Sequence, residues 1–149
     1  MGNTMRLALY QPEIPQNTGT LLRLSACMGI GVDIIEPCGF IWDHPHFRRA
    51  VMDYLPHVDV KKYADFEEFR IFKNTSRLVA CVVEGKTPYY DFQFQKGDTL
   101  LFGRESDGIP FALLKGIETI SIPMPGKGRS LNLATAASMI VGEALRQTR

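Results

Sequence analysis

An α/β fold built on a parallel sheet with helices on both faces is predicted for this chain by three observations. Short apolar, β-rich runs alternate with helically periodic segments along the sequence. Glycine, proline and asparagine bound those runs, and the polar, glycine-rich segments fall just after strand ends. In such a sheet ligands bind beyond the carboxyl ends of the strands.

Met5 to Tyr10 is the first apolar stretch, and Asn17 stands as a cap before a helix over Thr18 to Met28. A second strand, Val32 to Ile35, precedes a helical pattern over Phe47 to Tyr54. Val58 to Val60 reads as a third strand, after which Asp65 caps a helix over Phe66 to Lys73. Leu78 to Val83 and Thr99 to Phe102 read as the next two strands. Pro110 opens a short helix to Lys115, because a first-turn residue needs no N–H partner. Thr119 to Ile122 is a buried strand that Pro123, Pro125, Gly126 and Gly128 stop.

The last helix covers Asn132 to Gln147, with Ser130 or Asn132 as its cap. Leu133, Ala136, Ala137, Ile140, Val141, Ala144 and Leu145 share one face. An interior glycine costs about 1 kcal/mol against alanine. Gly142 therefore points to a tight approach by another segment, from this chain or a second copy. Gly2 to Thr4 reads as a disordered start.

Size and composition narrow the function classes. A chain of 149 residues with 45 % apolar content makes one domain, 1–149, with a core that needs neither disulfide nor metal. A net charge of +1 excludes a broadly basic nucleic-acid binder, so any RNA contact is local. Arg48 with Arg49, Lys61 with Lys62, and Lys127 with Arg129 are the candidate patches. Cys27, Cys38 and Cys81 are odd in number and lack metal spacing, as in a reduced cytoplasm. No apolar run is long enough to span a bilayer, so a soluble, cytoplasmic protein is expected. His44, His46 and His57 have neither helical spacing nor an acidic cluster, and no metal is expected.

Three polar segments carry the chemistry. Tyr10-Gln-Pro-Glu-Ile-Pro-Gln-Asn-Thr-Gly19 follows the first strand, with Arg23 further along the helix. Leu101-Phe-Gly-Arg-Glu-Ser-Asp-Gly-Ile-Pro110 spans the end of the fifth strand. Ile122-Pro-Met124 and Arg129-Ser-Leu-Asn-Leu133 flank the last loop. Three loops meeting at one sheet edge make a shared pocket, and glycines at 103, 108, 126 and 128 let backbone approach a small ligand. A P-loop hydrolase is excluded because Ile109 and Pro110 stand where lysine and serine would hold phosphate and magnesium. A dinucleotide fold lacks its glycine fingerprint after the first strand.

These segments resemble the three signatures of SPOUT-class RNA methyltransferases. With Ile35-Glu-Pro-Cys-Gly-Phe-Ile-Trp-Asp43 and Arg48-Arg-Ala-Val-Met-Asp-Tyr54, the chain is similar to the TrmL (YibK) family over almost its whole length. The resemblance implies a homodimer with a carboxyl-terminal trefoil knot that methylates the wobble ribose 2'-hydroxyl of tRNA, using S-adenosylmethionine. It also implies cofactor contacts at Cys81, Phe102, Gly103, Gly108, Ile122, Met124, Ser130, Leu131 and Asn132. Asn17, Arg23, Glu105, Ser130 and Asn132 are the candidate catalytic residues, and Arg48, Arg49 and Arg129 the candidate RNA contacts.

Arg23 lies on a mostly apolar helix, with a long side chain that leans toward the helix start. Guanidinium holds its proton far above neutral pH, so clamping phosphate or an oxyanion suits it better than acting as a base. Glu105 either orders the pocket or bonds loop N–H groups, and Trp42 either stacks a base or packs in a core or interface. Asp107, where many relatives have arginine, and Ala134-Thr135, where serine and asparagine are frequent, depart from the family pattern and bear on substrate recognition. A ribosomal-RNA methyltransferase, an enzyme for another tRNA site and a silent RNA-binding module are the alternatives.

Overall fold

The computed structural model describes residues 5–149, so the expected disorder at Gly2 to Thr4 lies outside the described residues. Strands β1 (Arg6–Tyr10), β2 (Gly31–Ile35), β3 (Val60–Tyr63), β4 (Leu78–Cys81), β5 (Thr87–Pro88), β6 (Thr99–Phe102) and β7 (Glu118–Ser121) form one sheet. Every neighbouring pair runs parallel, in the order β3-β2-β1-β6-β4-β7-β5. Helices α1 (Pro15–Met28), α2 (Pro45–Val51), α3 (Phe66–Phe72) and α4 (Leu133–Thr148) connect or follow them.

Alternation along the strands explains the layers. Leu7 and Leu9 join Val32, Ile34, Leu100, Phe102 and Ile120 on one face, under Leu21 and Leu22 of α1 and Ala137, Ile140, Val141 and Ala144 of α4. Ala8 and Tyr10 join Ile35, Tyr63 and Leu101 on the other, under Phe66 and Phe69 of α3. Both faces are covered, as a parallel sheet requires.

The opposite, amino-terminal edge is tied by charge. Arg6 Nε lies 2.9 Å from Asp33 Oδ1 and Arg6 Nη1 lies 2.7 Å from Asp59 Oδ2. Lys73 Nζ approaches Asp33 Oδ2 at 2.8 Å, a charge contact rather than an aligned hydrogen bond. Asp33 is wholly buried, so these cations are what make its charge tolerable.

Several elements differ from the sequence reading. α1 starts at Pro15, with Ile14 as N-cap, so Asn17 lies inside the first turn and caps nothing. β3 lies at Val60–Tyr63 rather than Val58 to Val60, and α2 ends at Val51, with a separate 3-10 turn at Leu55–His57. The Pro110 helix is a 3-10 turn, Phe111–Leu114. β5 was not expected; it flanks β7 on the side away from β4, so the segment 82–86 crosses the carboxyl end of β7. There Val82 N donates to Ile120 O at 2.9 Å, and a Cβ at Gly85 would collide with the Ile120 carbonyl, so only glycine fits the crossing.

Candidate functional site

The strand order reverses around β1, β6 and β4, and the loops after these strands and after β7 leave a cleft of about 1260 Å3 at their carboxyl ends. That position is where the switch-point rule puts a ligand. Its volume exceeds the roughly 300–1,000 Å3 usual for a small-molecule pocket, so it has room for more than one small ligand.

Asn17, Glu105, Ser130 and Asn132 line this cleft, as do Cys81, Phe102, Gly103, Gly108, Ile122, Met124 and Leu131. Three of them interlock. Asn132 Nδ2 donates to Asn17 Oδ1 at 3.0 Å, and Asn17 Nδ2 donates to Glu105 Oε2 at 3.3 Å. Asn17 is 7 % exposed, so its amide is held between partners from two other loops. Asn132 also caps α4, its Oδ1 accepting from Thr135 N at 3.1 Å. Of the two expected caps it is therefore Asn132 that serves, and Ser130 makes no side-chain bond among the described residues.

Glu105 performs the capping that Asn17 does not. Its carboxylate accepts from Glu13 N at 2.8 Å and Ile14 N at 2.9 Å, placing negative charge at the amino end of α1, which has no cap or acid of its own. Glu13 Oε1 in turn accepts from Ser106 N at 2.9 Å. The first and second loops are thereby clasped by two carboxylates in opposite directions, an exchange no local sequence pattern reveals.

The middle loop closes on itself. Arg104 and Gly108 exchange backbone bonds at 3.1 and 3.0 Å, Gly108 has φ +70°, and a Cβ at Gly103 would lie 2.5 Å from the Gly108 carbonyl carbon. Glycine is required at both positions for different reasons, contact at 103 and left-handed backbone at 108. Arg104 Nη1 donates to Gln11 Oε1 at 2.8 Å, and its guanidinium lies 5.2 Å over the Tyr10 ring. Arg104 Nε approaches Asp107 Oδ1 at 2.8 Å, again as charge contact without hydrogen-bond alignment. Asp107 is thus neutralised within its own loop.

The wall suits a nucleoside-sized organic ligand. Phe102, Ile122, Met124, Leu131 and Leu133 supply apolar surface, and burial pushes the Cys81 thiol up to about 11, so it packs as a neutral group. A Cβ built at Gly108 would meet nothing within 4 Å, leaving backbone open to contact, whereas Gly126 and Gly128, expected at the pocket, are exposed and do not line the cleft. Among the described residues no cluster of His, Cys, Asp and Glu could hold a metal.

Four predicted residues lie off the cleft. Arg23 is exposed, with its guanidinium 5.3 Å over the Tyr54 ring. Six residues at about 100° each turn it about 120° around α1 from Asn17, which outweighs its lean toward the helix start. Arg48 and Arg49 are exposed on α2, and Arg129 is exposed on the last loop. Trp42 packs with Phe40 and Phe47, and Lys62 Nζ lies 4.2 Å over its ring. Sequence reasoning missed Glu13, Gln11 and Arg104, whose roles arise only when the loops meet; a positive φ of 46° at Gln11 has no residue-type signal.

Comparison with known proteins agrees with this fold. Residues 4–142 match the model of the SpoU rRNA Methylase family. The chain is 49 % identical over 144 residues to tRNA (cytidine(34)-2'-O)-methyltransferase of Beijerinckia indica, covering 95 % of this chain and 90 % of the relative. A solved structure described as "Structural insights into the 2-OH methylation of C/U34 on tRNA" superposes with TM-score 0.92 at 42 % identity, covering 97 % of this chain and 96 % of that one. An AdoMet-bound rRNA methyltransferase from Sinorhizobium meliloti superposes with TM-score 0.88 at 26 % identity, covering 98 % of this chain and 57 % of that one.

Proposed function

Because the chain belongs to the SpoU rRNA methylase family, we propose that it transfers a methyl group from S-adenosylmethionine to the ribose 2'-hydroxyl of the wobble nucleotide, cytidine or modified uridine, of tRNA. One observation carries this reading: Asn17, Glu105 and Asn132, from three separate loops, are bonded together in a cleft at the carboxyl ends of the strands. A tRNA substrate is favoured over ribosomal RNA by the tRNA activity of the 49 % identical relative, which this chain matches nearly end to end.

When bound, S-adenosylmethionine would supply an electrophilic methyl: a carbon–oxygen bond forms as the carbon–sulfur bond breaks, S-adenosylhomocysteine departs and the hydroxyl proton passes to solvent. Phe102, Ile122, Leu131 and Cys81 would hold the nucleoside part against an apolar wall, with open backbone at Gly108 available to it. Asn17, Glu105 and Asn132 act as positioning residues, because their polar atoms are already bonded to one another or to backbone. Ser130 keeps its hydroxyl available for the incoming ribose.

Arg23 needs a second copy to reach a cleft, and a homodimer in which each site is completed by its neighbour supplies one. Support comes from the exposed face that α1 and α4 offer: Cys27, Met28 and Met139 are exposed, and a Cβ at Gly142 would meet nothing within 4 Å. No described segment of this chain makes the tight approach expected at Gly142, which favours the other copy. Arg48, Arg49 and Arg129 are exposed and contact RNA phosphates from the surface, Arg48 exchanging its 3.7 Å ion pair with Asp43 for a phosphate. The crossing of segment 82–86 over β7 supports a knotted carboxyl-terminal end of the single domain 1–149. Among the described residues no helix is long and apolar enough to cross a membrane, and a tRNA substrate suits the cytoplasm.

Incubation with labelled S-adenosylmethionine and total RNA, followed by separation of tRNA from ribosomal RNA and nucleoside analysis, tests the function. Label is expected on the wobble ribose. Label confined to ribosomal RNA would establish the ribosomal alternative, and absence of both transfer and cofactor binding by calorimetry would establish a silent module.

A further inference from the structure

The two most exposed large apolar side chains among the described residues, Phe111 at 89 % and Val83 at 74 %, border the same cleft. Exposed apolar groups concentrated at one opening mark a binding surface, whereas the same groups scattered singly would mean nothing. We propose that Phe111, with Val83 beside the opening, is a stacking platform for an unpaired nucleobase of the RNA substrate, at or next to the nucleotide whose ribose is methylated. This inference rests on the methyltransferase reading and adds to it a residue that selects RNA.

The ring stands on an anchored turn. Phe111 opens the 3-10 turn Phe111–Leu114, in which Leu113 N donates to Pro110 O at 2.9 Å, and Ile117 N then donates to Leu114 O at 2.9 Å. Leu113 and Leu114 pack against the core formed with Ile109, Tyr10 and Leu101, so the turn is anchored while its first residue is not. No aromatic ring of the described residues lies against Phe111. The backbone beneath the ring is therefore fixed before ligand arrives, which lowers the ordering cost of binding.

A base fits this platform better than the cofactor or a protein does. Phe102 and Ile122, buried or half-buried, line the same cleft and suit a small enclosed ligand, whereas a ring left almost fully in water serves something that extends beyond it. Stacking on aromatic side chains is how proteins hold single-stranded bases. Lys115, four residues further on, lines the same cleft and supplies a cation for the adjoining phosphate; Glu84 also lines it, while Glu105 and Asp107 are already occupied by Glu13, Ile14, Asn17 and Arg104.

The test compares wild type, Phe111→Ala and Phe111→Trp in methyl transfer to tRNA, with cofactor affinity by calorimetry, thermal midpoint and light scattering on each. Loss of one stacked base predicts a rise of roughly ten-fold in KM for tRNA for the alanine variant. Cofactor Kd, midpoint and oligomeric state are expected to stay unchanged, and tryptophan to restore KM to near the wild-type value. An unchanged KM overturns the proposal. So does a parallel rise in cofactor Kd, which would make the ring a cofactor cover, or a change of oligomeric state, which would make it an interface between copies. A wild-type protein that fails to methylate tRNA overturns the underlying reading instead.

Discussion

Asn132 Nδ2 donates to Asn17 Oδ1 at 3.0 Å across 115 positions of sequence, joining the start of the last helix to the first turn of the first. Asn17→Ala and Asn132→Ala should couple by about 1 kcal/mol in a double-mutant cycle on urea unfolding, the size of one hydrogen bond between partly buried groups. Each single change also removes a second bond, Asn132→Ala the α4 cap, worth about 1 kcal/mol, and Asn17→Ala the donor to Glu105. Strict additivity would mean that the bond does not hold the loops together.

Arg23→Ala should leave thermal midpoint and cofactor Kd nearly unchanged while turnover falls by roughly 100-fold or more, the usual effect of losing a charge-stabilising donor. If Arg23 serves the neighbouring copy, dimers mixing Arg23→Ala with a cleft-disabled Asn132→Ala chain should recover part of the activity. Turnover that survives the substitution would remove Arg23 from the mechanism.

Asp33→Asn should destabilise the fold by roughly 3–5 kcal/mol, because Arg6 and Lys73 would lose the one buried anion between them. Chemical unfolding measures this directly. Asp33 does not line the cleft, so cofactor affinity should follow the folded fraction alone.

Burial disfavours the thiolate of Cys81 and raises its pKa to about 11; at Cys38 burial does the same first, helped by Glu36, to about 11. At pH 7 only about one such thiol in ten thousand is ionised, so alkylation should be confined to exposed Cys27 and reach the other two as pH rises toward 11. Mass spectrometry of peptides alkylated across that range checks the order. Saturating S-adenosylmethionine should retard Cys81 and not Cys27.

How far the sequence could be read depended on whether a signal was local. Buried strands such as Leu78–Cys81 and Thr99–Phe102 announce themselves by composition, and Asp65 and Asn132 cap helices as their positions suggest. β3 was misplaced because Lys61 and Lys62 are exposed on an edge strand and carry no apolar alternation. β5 is two residues long and contains proline, which reads as turn. Asn17 resembled a cap because the true anion at that helix, Glu105, lies 88 positions further along the chain. The loops of the cleft were therefore identifiable one by one, while their mutual bonds and the outward turn of Arg23 are products of packing.

The cleft joins residues as distant as Asn17, Glu105 and Asn132, so whatever occupies it grips the molecule from start to finish rather than one lobe of it. Occupancy then opposes global unfolding: a ligand present at 100 times its Kd adds about 2.7 kcal/mol to the melting equilibrium. The protein is in this sense its own sensor, and a simple heating curve can rank candidate donors and product inhibitors before any RNA is added.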